Sequence, residues 1–557
     1  MTEIPGKIRP SQLISTFGPG AIVDLPDDSV MIIGIDEWPY GDVILEPRLQ
    51  KILGVMEFYA PKNEGKFDVP CISFPTYRVC VKCHRLSNRF PVTGQNRLPR
   101  CNCGGKTHPA RLIVACDRGH IEDFPWILWA HQDGKVCSQP ELYLNGTWTT
   151  GSLKGLVVKC KTCGLEHDLG GATGASHVFS RCNGRRPWLG RDCDESDCDS
   201  KPRGLLRGAS NVYFPVVVSA VSIPPWTDPR MQRLEKKWSD IENWLEEGVT
   251  LDQIARVYFK GMSIEEVEQI IGMRKNASIS TDLKWDEWLK LSTCNNENDE
   301  NFTASPGEVP VRYSDFIEKI VLISRLREVR VLRGFTRIEP PGEDSEASFA
   351  WLSRERTDWL PAVETRGEGI FIILDKQRIE RWENIDKVQE RVKVLNKNYN
   401  RWLRERQKND YKWVEITPRF VFLHTLAHLL IRQLSLECGY SSSSLRERIY
   451  ADNEMRGILI YTATPDSDGS LGGLVMQGEP ERFAGIMDGL LEDVVVCSSD
   501  PLCAEHDPAA TGSFNAAACH ACTLISETSC EKSNRLLDRA LVMDLPMVTG
   551  YGFFSME

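Results

Sequence analysis

The spacing of its cysteines constrains this chain more than any other feature. The 557 residues include 19 cysteines, most of them in three groups. These are Cys80/Cys83 with Cys101/Cys103, Cys160/Cys163 with Cys182, Cys193 and Cys198, and Cys497/Cys503 with Cys519/Cys522/Cys530. Two cysteines two residues apart can share one edge of a tetrahedron at a tight turn, which zinc exploits. A disulfide scaffold has no use for that repeat along a long chain. The N-terminus Met1-Thr2-Glu3-Ile4-Pro5 shows no basic segment followed by an apolar core, so no secretory leader is expected. A reducing, cytoplasmic setting follows as the expectation, and there CxxC pairs favour metal over disulfide.

The expected ligand sets are three. Cys80, Cys83, Cys101 and Cys103 form the first, with Gly104 and Gly105 allowing the turn and Cys116 and His120 as substitutes for its fourth ligand. Cys160, Cys163 and Cys182 form the second with Cys198, Cys193 being the alternative. The third is Cys503, Cys519, Cys522 and Cys530, with Cys497 in reserve. Four sulfurs saturate a tetrahedral ion and leave no position for water, so about three structural Zn2+ are expected, none of them catalytic.

Composition is that of a globular protein, 41% hydrophobic and 26% charged. No run of about 18 apolar residues exists, so no membrane helix and no membrane partner are expected. The net charge of −11 argues against a protein that coats nucleic acid by itself, while leaving room for a local basic groove. The fold class read from the pattern is mixed, multidomain α/β with zinc-ribbon-like modules, a long charged helix and a C-terminal α/β zinc-binding domain. Residues 1–75 read as a β-rich region, 76–226 as the Cys-rich zinc-binding region, 227–310 as helices and a linker, and 311–557 as a mixed α/β domain. Within the last, a helix is expected over Tyr313–Leu326, a buried strand over Gly369–Leu374 and one helix over Lys376–Gln407. That helix carries Lys393, Lys397, Arg401 and Arg404 among its basic residues, read as a solvated face or as a nucleic-acid or partner contact. An apolar helix follows over Val421–Leu436, then a strand over Gly457–Thr462. Cys294–Pro310 reads as a loop or linker.

Catalytic signals are weak. His424 and His428 lie i, i+4 on the apolar helix, a spacing that suits a metal, yet no acidic residue lies between them as a zinc hydrolase needs. Asp466 and Asp468 precede Gly472-Gly473 and read as a turn or a divalent-ion site. No GxxxxGK[ST] loop is present, so the chain is not itself a Walker-type NTPase.

Several long segments carry a resemblance. They are Arg9–Val23 with its Phe-Gly-Pro-Gly turn, Gly119–Trp126, Gly184–Gly190, Arg207–Phe214, Gly334–Pro341 and His424-Thr-Leu-Ala-His428. Cys438-Gly-Tyr-Ser-Ser and Cys519–Arg539 complete the set. On these the chain resembles the DrmB family, components of the bacterial anti-phage defence system DISARM. Residues from about Trp413 to Arg539 are similar to a domain fused to some superfamily 2 DNA helicases, closed by a four-cysteine zinc site. The resemblance implies an accessory, non-enzymatic subunit that pairs with a separate helicase, DrmA, and helps bind or load DNA through the complex. Arg185, Arg186, Arg203 and Arg207 are the expected phosphate contacts, with salt bridges inside the Cys-rich region as their alternative role. Two other functions are weighed beside this one. One is a metal-dependent hydrolase or nuclease using His424, His428, Asp466 and Asp468; the other is a protein scaffold that never touches DNA.

Overall fold

A computed structural model describes residues 8–26, 28–62, 69–92, 98–146, 152–277, 280, 282–341, 349–407, 411–462 and 473–556. The chain divides into two units, each discontinuous in sequence. The first comprises Met1–Ile44, Val55–Val218 and Arg330–Val363; the second comprises Leu45–Gly54, Ser219–Val329 and Glu364–Glu557. This division cuts across the four consecutive segments expected from composition. Two long strands, Ile317–Thr336 and Trp359–Leu374, contribute residues to both units.

The first unit is built from short strands. A three-stranded antiparallel sheet has Leu112–Ala115 at its centre, flanked by Ile121–Asp123 and Arg203–Leu206. A six-stranded sheet runs in the order Glu166–Asp168, Leu156–Cys160, Leu142–Gly146, Arg85–Ser87, Arg78–Cys80, Thr107–Pro109. Strands of three to five residues bury little apolar surface, so their ends need another fastening.

Five of the segments that carry the family resemblance meet inside this unit around one side chain, Arg337. It is buried, and each of its three nitrogens donates to a backbone carbonyl: Nε to Gly119 at 2.8 Å, Nη1 to Val212 at 2.6 Å and Nη2 to Gly20 at 2.8 Å. The guanidinium lies 4.7 Å from the Phe335 ring centre and 5.5 Å from that of Trp188. Gly20 and Gly119 have φ of +82° and +85°, where a side chain is strained. A Cβ on Gly20 would also stand 2.6 Å from the Phe335 ring. A buried cation with no carboxylate partner among the described residues is costly. Here three charge-assisted hydrogen bonds, each about 1.5–3 kcal/mol, and two ring faces offset that cost.

The second unit is built on a sheet buried on both faces. The main path of this nine-stranded sheet runs in the order Glu297–Asn298, Thr303–Gly307, Ile317–Thr336, Trp359–Leu374, Gly457–Thr462, Leu445–Tyr450. Alternate residues face opposite ways. Ile370, Ile372, Ile458 and Ile460 join a core with the helix Pro418–Cys438, while Phe371, Ile373, Leu459 and Tyr461 pack with Trp288 and Tyr450. Helix Pro418–Cys438 is capped by Thr417, whose hydroxyl accepts from Phe420 N at 3.1 Å, and has Pro418 in its first turn.

Three expectations fail here. Tyr313–Leu326 is not a helix, because Ile317, Ile320, Val321 and Ile323 are β-branched and belong to the 20-residue strand. Burial on both faces erased the alternation that would have marked it. Cys294–Pro310 is not a linker, since Thr303–Gly307 pairs with that strand, Ala304 opposite Ile323. Lys376–Gln407 is two helices, Lys376–Glu383 and Asp386–Gln407. The second buries Val388, Val392, Leu395, Tyr399 and Leu403 at helical spacing and leaves Lys393, Lys397, Arg401 and Arg404 exposed.

Replacing Arg337 with Leu strands the three carbonyls it holds. The Arg337→Leu variant is expected to lose about 3 kcal/mol or more of stability, with Arg337→Lys intermediate because one ammonium cannot span three acceptors. Urea unfolding midpoints of the two variants check this.

Candidate metal centres

Five groups of Cys, His and Glu converge among the described residues, not three, and in each group the candidate ligand atoms lie within 4.8 Å of one another. Ligands at about 2.0–2.3 Å from a tetrahedral ion stand roughly 3.3–3.8 Å apart, which sets the standard for judging them.

Cys80, Cys83, Cys101 and Cys103 come together as the sequence suggested. Sγ of Cys80 is 3.5 Å from that of Cys103, and Cys83 is 3.5 Å from Cys101. Two tight turns present them: Cys80–His84, at the end of strand Arg78–Cys80, and Cys101–Gly105. A Cβ on Gly105 would sit 2.6 Å from Cys80 Sγ, so this glycine is required by space. The amide of Gly105, more than any other group, draws the Cys103 thiol down to about 7, favouring the thiolate a metal needs.

The second expected set does not form. Cys160 and Cys163 join His131 and Cys137, while Cys182 and Cys198 join Cys116 and His120. In the former, His131 Nε2 is 3.3 Å from Cys163 Sγ and 3.6 Å from Cys137 Sγ. His131 Nδ1 donates to the carbonyl of Ile127 at 2.7 Å, which fixes the tautomer and leaves Nε2 free to ligate. Helix Trp126–Ala130 delivers this ring at its C-terminal end. In the latter, His120 Nδ1 is 3.4 Å from Cys116 Sγ and 3.6 Å from Cys182 Sγ. Its Nε2 lies 3.2 Å from Glu195, the carboxylate–histidine arrangement that orients metal ligands. The Cys116–His120 turn is the one whose Gly119 carbonyl Arg337 holds, so core and cluster share a fastening.

The third set exchanges one member. Cys497 joins Cys503, Cys519 and Cys522, with Sγ separations of 3.5–3.7 Å, and Cys530 goes elsewhere. Asp500 organises this turn: it accepts from Cys497 N at 2.9 Å and Ala504 N at 3.0 Å and is gripped by Arg539 at 2.6 Å. The neighbouring Cys503 thiol is the main cause that holds Cys522 down to about 4. Cys530 meets His424, His428 and Glu447 in the fifth group, where all three partners are wholly buried.

The sequence reading missed His131, Cys137 and Glu447 as ligands and named Cys116 and His120 only as substitutes elsewhere. Cys116-x3-His120 and His131-x5-Cys137 are ligand-like spacings that could have raised them. Cys193 is in none of the groups and packs against the first unit's core. Asp466, Asp468 and Gly472 lie outside the described residues.

Of the four expected phosphate-binding arginines, three are held by protein groups. Arg185 pairs with Asp194, Arg186 with Glu195 at 2.6 Å, and Arg207 with Asp24 at 2.8 Å and the carbonyls of Pro109 and Ala110. Arg186 and Arg118 both grip Glu195, the carboxylate beside His120, so Arg186 supports a candidate metal ligand. Arg203 is exposed on its strand.

The ligand sets predict metal contents that differ by residue. Cys497→Ser should lower the metal bound by the purified chain by one equivalent, while Cys193→Ser leaves it unchanged, as read by elemental analysis. Gly105→Ala should destabilise the Cys80 group, by about 1–3 kcal/mol if the turn shifts to admit the methyl, and show earlier metal release on heating.

Comparisons with known proteins include one domain model named for zinc binding. Residues 9–214 match a domain of unknown function (DUF8724), and residues 426–523 match the MrfA Zn-binding domain. The second span contains Cys497, Cys503, Cys519 and Cys522. A solved structure described as DUF1998 helicase MrfA bound to DNA overlaps 37% of this chain and 22% of its own, at 11% identity and a TM-score of 0.18, a likeness that carries no structural argument. The chain is 33% identical over 561 residues to DISARM protein DrmB of Bacillus paralicheniformis, covering 94% of this chain and 97% of that protein. Among the described residues no helix is long and apolar enough to cross a membrane. With that near-complete overlap, the chain belongs to the DrmB family of DISARM proteins.

Proposed function

We propose that this chain is a zinc-held, non-catalytic subunit of an anti-phage complex, docking with the separate helicase subunit DrmA and helping to hold or load DNA. The observation that carries the reading is the likeness to DISARM protein DrmB along nearly the whole chain. The match to the MrfA Zn-binding domain supports zinc in the Cys497 group. The Cys80, Cys116, His131 and Cys497 groups offer four sulfurs, or three sulfurs and one imidazole. Such closed sets suit Zn2+, which when bound would fasten loops rather than activate water. The absence of a nucleotide-binding loop in the sequence supports placing ATP hydrolysis in the partner.

Phosphate contact needs exposed cations, and their best arrangement is on helix Asp386–Gln407. Lys393, Lys397, Arg401 and Arg404 are exposed and fall within about 80° of arc on one face. Local charge of this kind is compatible with a net charge of −11. Arg203 is a secondary candidate. Arg185 and Arg186 are poorer probes, because reversing either also releases Asp194 or Glu195 beside the Cys116 group.

The hydrolase alternative loses ground to burial. His424, His428 and Glu447 are enclosed, and a hydrolytic metal must reach substrate and water.

The test uses the chain co-purified with its helicase. The triple change Lys393→Glu, Lys397→Glu and Arg401→Glu should weaken DNA binding by the complex about tenfold or more at low salt. It should also reduce the slope of log affinity against log salt by about two to three. Co-purification and metal content should stay unchanged. An unaltered slope would remove this helix from the DNA path, and a chain that fails to co-purify with the helicase would remove the partnership.

A further inference from the structure

We infer that His424, His428, Glu447 and Cys530 form a buried, closed site for one divalent transition-metal ion, Zn2+ by the chemistry of its donors, separate from the four-sulfur group nearby in sequence. The spacing is that of a coordination shell. His424 Nε2 is 3.1 Å from Cys530 Sγ and 3.1 Å from Glu447 Oε1, and His428 Nε2 is 3.5 Å from the same carboxylate oxygen.

The outer contacts prepare each donor. His424 Nδ1 donates to the carbonyl of Leu536 at 3.3 Å, and His428 Nδ1 donates to that of Thr523 at 3.1 Å. A carbonyl only accepts, so each ring carries its proton on Nδ1 and turns the Nε2 lone pair inward. Backbone amides of Lys532 and Asn534 donate to Cys530 Sγ at 3.3 and 3.2 Å and so hold the sulfur in place. The amide of Glu531 donates to Glu447 Oε1 at 3.1 Å.

Two buried polar atoms are left over. Among the described residues His428 Nε2 and Glu447 Oε2 have no hydrogen-bond partner, and the Nε2 atom lies 3.5 Å from Glu447 Oε1 inside the group. Leaving such groups unsatisfied in a dry interior is costly. A cation at the centre gives His428 Nε2 a partner and neutralises the Glu447 carboxylate.

Charge makes the same point. Two neutral imidazoles, one carboxylate and one thiolate sum to −2, which a divalent ion cancels. Neutrality suits a site with three wholly buried donors, whereas four thiolates keep two negative charges and suit the more exposed Cys497 group. Imidazole, carboxylate and thiolate together match the donor preferences of zinc. The site ties helix Pro418–Cys438 and strand Leu445–Tyr450 to the segment after Cys522. That segment has positive φ at Ser533, Asn534 and Leu536, non-glycine residues that need such a hold.

The test is elemental analysis of the full-length protein purified without added chelator, then of the cobalt-substituted protein. Five equivalents are expected in the native chain, and four in Cys530→Ser. With cobalt, the thiolate charge-transfer band lost in Cys530→Ser should correspond to one sulfur, against four in Cys497→Ser. Glu447→Gln keeps the shape of the side chain, should remain folded, and should release one ion at a chelator concentration at least roughly tenfold lower. Four equivalents in the native chain, unchanged in Cys530→Ser and Glu447→Gln, would overturn the site and leave a buried His–Glu hydrogen-bonded pair in its place. Should Cys530→Ser fail to fold, the native count and the Glu447→Gln release still decide.

Discussion

A single guanidinium, that of Arg337, is the contact on which the first unit turns. Three backbone carbonyls from remote parts of the chain, at Gly20, Gly119 and Val212, end on it. Hydrophobic burial alone could not specify this meeting, because apolar contacts are tolerant of small displacements and rotations. A planar fork with fixed donor directions is not tolerant. Apart from strand Ile317–Thr336, which leads into Arg337, most strands of this unit are too short to define their register strongly, so a polar knot inside an apolar shell adds specificity.

The same residue links packing to metal chemistry. By holding the Gly119 carbonyl, Arg337 fixes the turn that carries Cys116 and His120. On the solvent side, Glu195 braces His120 and is itself braced by Arg118 and Arg186. Of the four arginines expected at phosphate, Arg186 instead braces Glu195 beside the candidate ligand His120, and Arg185 and Arg207 pair with Asp194 and Asp24. Exposed cations gather instead on helix Asp386–Gln407, where Lys393, Lys397, Arg401 and Arg404 lie opposite a face committed to the core.

Much of the architecture was legible in the sequence, and what was not has identifiable reasons. The mixed α/β class, the apolar helix with its two histidines and the strand Gly457–Thr462 follow from local pattern. The strand at Ile317 was hidden because both of its faces are buried, so its residues alternate between two cores rather than between core and water. The Cys80 group was legible because its ligands form two adjacent turns. The Cys160 and Cys182 pairs are neighbours in sequence yet belong to different groups in space. His131-x5-Cys137 is only a loose ligand-like spacing and Glu447 has none; they become candidate ligands once strands or helices bring them beside a pair.

The ligand groups are nested rather than consecutive. His131, Cys137, Cys160 and Cys163 all fall between His120 and Cys182, two successive ligands of the Cys116 group. The Cys497 group likewise falls wholly between Glu447 and Cys530. Each inner ring can therefore close on a shorter loop, at lower entropic cost, and each outer ring must span it. During synthesis the inner ligands have all been made before the last outer ligand exists. The chain thus carries an order of assembly written as parentheses: Cys163 closes one bracket before Cys198 closes the one around it, and Cys522 closes another before Cys530.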